Sequence, residues 1–154
     1  KHMKIYLDTS VVSMLDDSER GTATKEFFEF INEKNYELVI SEIVDNEIRD
    51  TKSKKKDTII EFLNTLNCIY LSHSEESHDH AWNYIADEIL TKNHFDDLLH
   101  VAYATVHNCN VIVSWNRKHI AKLVKIQKLN ACNLKHNYNI IAIYTPEEFL
   151  TLFQ

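Results

Sequence analysis

The stretch M-K-I-Y-L-D-T-S, residues 3–10, is a brief, mostly apolar run suited to a strand, followed at once by a carboxylate and two hydroxyls. Asp8, Thr9 and Ser10 offer cap chemistry for a helix starting near Val11. Two further short apolar runs, residues 37–40 and 110–114, are separated by helical patterns. Helices are expected over 24–33, 41–50, 58–66, 78–90, 94–107 and 118–127, with a charged break at 52–57 and an apolar piece at 68–71 that fits no class firmly. A last strand is expected over 139–143. Thr145, Pro146 and Glu148 then spell an N-cap, a proline in the first helical position and a capping-box glutamate. Brief apolar strands divided by helices make the chain α/β: a three-layer α/β/α sandwich around a mainly parallel sheet. In such sheets, ligand chemistry gathers beyond the carboxyl ends of the strands. The residues there are Asp8, the helix capped by Ser41, and Trp115-Asn116.

The 154 residues fit one domain, taken as residues 3–154, with Lys1 and His2 before Met3 read as an expression scar. No run approaches the roughly 18 apolar residues of a membrane span. Three cysteines with no C-x-x-C spacing argue against a disulfide framework and a thiolate zinc site, and point to a reducing cytoplasm. A single glycine excludes the phosphate-binding and dinucleotide-binding loops, which need several. The net charge is −6, yet no Asp or Glu occurs between Leu98 and Pro146. That segment carries Lys118, Lys122 and Lys125, spaced as one face of a helix whose apolar side is Ile120, Leu123 and Val124. The basic face suits phosphates or, equally, solvent.

Three carboxylates stand where carboxylates are costly. Glu47 points the same way as Ile43, Val44 and Ile48. On helix 94–107, Asp97 falls in line with Val101 and Ala104, whereas Asp96 shares a polar strip with His100, Tyr103 and His107 that is expected to meet solvent. Asp8 directly follows a buried strand. Each has an ordinary alternative: a cap for Asp8 and Asp97, an ion pair with Lys or Arg for Glu47. If the three converge, a cation must offset their repulsion. Oxygen ligands without His or Cys favour Mg²⁺ or Mn²⁺ over zinc.

The order of these residues resembles the PIN domain and, within it, the VapC-type toxins of prokaryotic toxin–antitoxin pairs. The matching segments are M-K-I-Y-L-D-T-S, S-E-I-V-D-N-E-I around Glu47, D-L-L-H-V-A-Y-A from Asp97, and V-I-V-S-W-N-R-K-H-I from Val111. The resemblance implies a PIN-like sandwich and a Mg²⁺-dependent endoribonuclease, often homodimeric, silenced by an antitoxin. It implies that Asp8, Glu47 and Asp97 hold the metal, and that water opens an RNA phosphodiester to leave a 5′-phosphate and a 3′-hydroxyl. Where the family commonly carries a fourth acid, this chain has Asn116, a neutral ligand or a turn residue. Substrate contacts are expected from Thr9, Ser10, Lys118, His119 and Lys122, against capping for the first two and packing against the terminal strand for His119. His100 is expected to brace its helix. His78 and His80, two apart on a helix, point to different faces. Two rival readings stand beside the nuclease: a non-catalytic PIN-like binding module, suggested by Asn116, and a Mg²⁺-dependent phosphatase. The latter would want an acid where Ser10 stands.

Overall fold

Five parallel strands make one sheet in the order β3-β2-β1-β4-β5 in a computed structural model that describes residues 3–52, 54–116, 120 and 122–154. The strands are β1 (Lys4–Leu7), β2 (Glu37–Ser41), β3 (Ile69–Leu71), β4 (Val111–Val113) and β5 (Ala142–Tyr144). Ile5, Tyr6 and Leu7 are buried completely, as a central strand covered on both faces requires. β1 pairs with β2 on one side and with β4 on the other. The chain therefore leaves β1 in one direction and later returns to its opposite edge, which makes the carboxyl ends of β1 and β4 a topological switch point.

Among the described residues eight α-helices cover the sheet: α1 (Thr9–Ser13), α2 (Gly21–Lys34), α3 (Glu42–Asp50), α4 (Lys56–Thr65), α5 (Glu75–Ala86), α6 (Phe95–Val106), α7 (Leu123–Lys135) and α8 (Pro146–Phe153). Helices α2 and α8 pack together, with Phe27 edge-on to Phe149 at 5.3 Å, while α5 packs on α6 and α7. The three-layer α/β/α expectation holds.

Boundaries moved where side chains capture backbone. The last strand starts at Ala142 rather than 139 because Asn130 bonds both the N–H and the carbonyl of Ile141, at 2.8 and 2.9 Å, just before the ladder. Helix α5 starts early, where Ser74 Oγ accepts from Ser77 N, and ends at Asp87 ahead of the left-handed Glu88. The unassigned 68–71 piece is the edge strand β3, paired with β2. Among the described residues the basic helix expected over 118–127 begins at Leu123, and Lys122 stands at its N-cap. Its presumed apolar side also splits, with Ile120 buried and Leu123 and Val124 exposed. The Thr145–Glu148 capping box is present.

Candidate active site

Asp8 leaves β1 with its N–H still in the ladder, bonded to Val113 O at 3.1 Å. It occupies the N-cap position of α1, but its side chain makes no cap bond. Its Oδ2 instead accepts from Ser114 Oγ at 2.5 Å and from Ser10 Oγ at 3.0 Å. The same two hydroxyls accept the N–H groups of Asn116 and Trp115, both at 2.9 Å. The loop after β4 is thus tied to the carboxylate that ends β1.

Glu47 comes from α3, whose Ile43, Val44 and Ile48 are buried. Its Oε1 accepts from Thr9 Oγ1 and lies 2.7 Å from His100 Nε2. The ion pair foreseen with Lys or Arg is made with a histidine. His100 Nε2 also stands 3.4 Å from Asp8 Oδ1, and its Nδ1 meets the Tyr6 hydroxyl at 2.7 Å. Tyr6 is bonded in turn to Ser41 Oγ at 2.7 Å, which accepts the N–H of Ile43 at the start of α3. Asp8, Glu47 and His100 each present a ligand atom within 4.8 Å of the others.

This corrects the expectation that the Asp96–His100–Tyr103 strip meets solvent. Asp96 does, but His100 is 1% exposed and Tyr103 fully buried. The two carboxylates that meet here are joined by an imidazole. Asp97 faces the same hollow from the first turn of α6. There its Oδ1 accepts from Asn116 Nδ2 at 3.2 Å and its Oδ2 lies 3.7 Å from His94 Nδ1.

Burial opposes charge on the His100 ring, yet the negative charge of Asp8 and the bond to Glu47 outweigh it and raise its pKa. Burial likewise opposes ionisation of Glu47, and His100 and Thr9 overcome it, lowering that pKa. Both shifts favour the ion pair between His100 and Glu47. Above it opens a hollow of about 450 Å³, lined by Asp8, Thr9, Ser10, Glu47, Asp97 and Asn116 together with Met14, Arg20 and Trp115. Arg20 lies over the Trp115 ring at 5.9 Å.

Residues 5–125 match the PIN domain family. The chain belongs to that family. No curated protein sequence matches it. Among solved structures, this PIN domain is similar to the VapBC2 complex of Rickettsia felis, bound to a DNA fragment from its promoter. The TM-score is 0.63 at 19% identity, over 92% of this chain and 98% of the other. It is also similar to a toxin–antitoxin complex from Klebsiella pneumoniae, with a TM-score of 0.57 at 16% identity over 79% and 93% of the two chains.

Within the PIN domain, the four positions singled out by sequence, Asp8, Glu47, Asp97 and Asn116, all border one hollow. Thr9 and Ser10 bond the carboxylates rather than cap α1. Lys122 is exposed at the N-cap of α7, and Lys125 turns away to the carbonyl of Ile89 at 2.8 Å. Lys118 and His119 lie outside the described residues. His78 and His80 do face different partners, the Ser74 carbonyl and Asn133 Oδ1. Sequence reasoning missed Ser114, Arg20 and the part played by Tyr6 and His100. A tyrosine in the middle of a buried strand was the available signal, because its hydroxyl must find a buried partner.

Proposed function

We propose that this PIN domain is a divalent-metal-dependent endoribonuclease, the VapC-like toxin of a toxin–antitoxin pair. The observation that carries the reading is the meeting of Asp8, Glu47 and His100 within 4.8 Å at the switch point of the sheet. Carboxylate oxygens and one imidazole suit a divalent cation, Mg²⁺ or Mn²⁺. Such an ion, when bound, supplies Lewis-acid activation of water and neutralises charge on a phosphate. The chain's own residues do the positioning. Ser10 and Ser114 fix Asp8 Oδ2, which aims Oδ1 at the pocket, and Thr9 fixes Glu47. Asp97 and its partner Asn116 wall the hollow opposite. Arg20, at the rim, is positioned to take a phosphate of the RNA backbone, a role proposed also for Lys118, His119 and Lys122.

An antitoxin partner is supported by the two structural neighbours, both toxin–antitoxin complexes. A homodimer is proposed from the resemblance alone. Among the described residues no helix is long and apolar enough to cross a membrane; the cytoplasmic location is proposed.

The test is cleavage of structured RNAs by wild type and Asp8→Asn, with EDTA and with Mg²⁺ or Mn²⁺ restored. Cleavage is expected to stop with EDTA, return with metal, and fall by at least about a hundredfold in the variant, whose circular dichroism stays native. Undiminished cleavage by Asp8→Asn refutes the reading. RNA binding without cleavage in either protein supports the non-catalytic module that Asn116 suggests. Turnover of small phosphoesters but not RNA supports a phosphatase.

A further inference from the structure

We propose that His100 is a direct ligand of the metal, through Nε2, and that this makes the centre a mixed nitrogen–oxygen site that selects Mn²⁺ over Mg²⁺. The inference rests on the divalent-metal reading above and deepens it.

Geometry comes first. Adjacent corners of an octahedron with bonds of about 2.1 Å lie about 3 Å apart, and opposite corners about 4.2 Å. His100 Nε2 stands 2.7 Å from Glu47 Oε1 and 3.4 Å from Asp8 Oδ1, distances that bracket the adjacent-corner spacing. All three ligand atoms fall within 4.8 Å of one another.

The outer contacts are those of a ligating imidazole. A metal-bound histidine usually donates its other ring N–H to a fixed acceptor, which sets tautomer and ring orientation. Here Nδ1 meets the Tyr6 hydroxyl at 2.7 Å, and that hydroxyl is held by Ser41 at 2.7 Å. Tyr6, Ser41 and His100 are all essentially sealed from water. With Nδ1 as donor to Tyr6, the Nε2 proton given to Glu47 is the one a metal would displace, and the lone pair so freed faces Asp8 and Glu47. A ring whose only task was to brace α6 would not need its second nitrogen turned to two carboxylates.

The rest of the donor set argues the same way. Asn116 brings no charge, and its amide donates to Asp97. Compared with an all-carboxylate pocket, this one has a carboxylate fewer and an imidazole more. Mg²⁺ takes oxygen almost exclusively, whereas imidazole suits first-row transition ions.

The experiment uses the full chain stripped of metal and titrated with Mn²⁺. Pulsed electron paramagnetic resonance should show strong ¹⁴N coupling from a directly bound imidazole. The coupling should persist in His94→Gln, which removes the other described histidine beside the hollow, and vanish in His100→Gln. By calorimetry, His100→Gln should weaken Mn²⁺ binding about 10- to 100-fold but Mg²⁺ binding by no more than about threefold. Tyr6→Phe, which keeps the imidazole, should retain the coupling and bind Mn²⁺ more weakly. Mn²⁺ that binds in an Asp8-dependent manner without ¹⁴N coupling in the wild type overturns the ligand assignment and leaves the nuclease reading standing. Mn²⁺ and Mg²⁺ binding that ignores Asp8→Asn overturns both. The wild-type spectrum decides the point even if His100→Gln does not fold.

Discussion

Removing one oxygen atom from Tyr6 tests the buried relay behind the pocket. In Tyr6→Phe the ring still fills its place in β1, so packing changes little. What is lost is the hydroxyl that bonds both Ser41 Oγ and His100 Nδ1, each at 2.7 Å. Ser41 keeps the N–H of Ile43, but the imidazole N–H has no other partner among the described residues and cannot reach water at 1% exposure. Stranding a buried donor costs about 1–3 kcal/mol, toward the upper end when it belongs to a charged group, and the lost bond at Ser41 adds about 1. The expected total is roughly 3 kcal/mol. For a chain of this length that corresponds to a fall in melting temperature of about 6–12 °C. Urea unfolding of metal-free protein should give the same loss with an unchanged slope. Tyr70→Phe, on an edge strand and half exposed, is the control and should stay within about 0.5 kcal/mol. A Tyr6→Phe protein that melts within about 2 °C of wild type would show that the hydroxyl is not the sole support of His100.

The metal-free protein should also carry a pH signature. His100 has a raised pKa, so its contribution is full below the ordinary imidazole value of about 6.5 and fades as pH rises through the higher folded value. Glu47 has a lowered pKa, so its contribution is full above about 4.3 and fades as pH falls through the lower folded value. In EDTA, the unfolding free-energy difference between wild type and Glu47→Gln should peak between those limits and shrink on either side; a difference that stays flat from about pH 5 to 9 contradicts the pairing. Comparing the two proteins removes the background from His80, whose lowered pKa acts in the opposite sense. Ser114→Ala removes one of two hydroxyls on Asp8 Oδ2 and the acceptor of Asn116 N–H, and should cost about 1–3 kcal/mol while weakening metal binding by calorimetry. Thr145→Ala breaks the capping box of α8, outside the lining of the hollow; it should cost about 0.5–2 kcal/mol in urea and leave metal affinity unchanged.

Legibility in the sequence followed burial. β1, β2 and β4 lie in the middle of the sheet, so their apolar runs announced them, and their order implied a switch point beside Asp8. β3, an edge strand of three largely exposed residues, carried no apolar signal that fits a class, whereas β5 was foreseen with its start three residues early. Asp8, Glu47 and Asp97 were legible because each interrupts an apolar pattern. His100 was not, because periodicity assumes that a helix has a wet side. In α6 every residue from Leu98 to Thr105 is buried, so the strip with His100 and Tyr103 faces protein, not solvent. Eight successive buried residues leave a polar side chain no exit. The tyrosine in β1 and the histidine in α6 therefore had to satisfy one another or something like each other.

That pairing changes what buried acids can prove. Asp8 and Glu47 looked intolerable without a cation, and taken alone they are. The imidazole of His100 lies within 3.4 Å of both and offsets them inside the chain, so their burial no longer demands a metal. What an ion pair alone does not explain is the surplus order around it. Asp8 Oδ2 is held by Ser114 Oγ from the loop after β4 and by Ser10 Oγ from α1, and Glu47 by Thr9 Oγ1, also from α1. The imidazole is oriented from behind through Tyr6 and Ser41. An arrangement built only to cancel charge could bury both carboxylates fully, yet the Glu47 side chain remains 34% exposed at the mouth. Preorganised donors at an open pocket fit a ligand that arrives, with His100 holding the acids in place until it does.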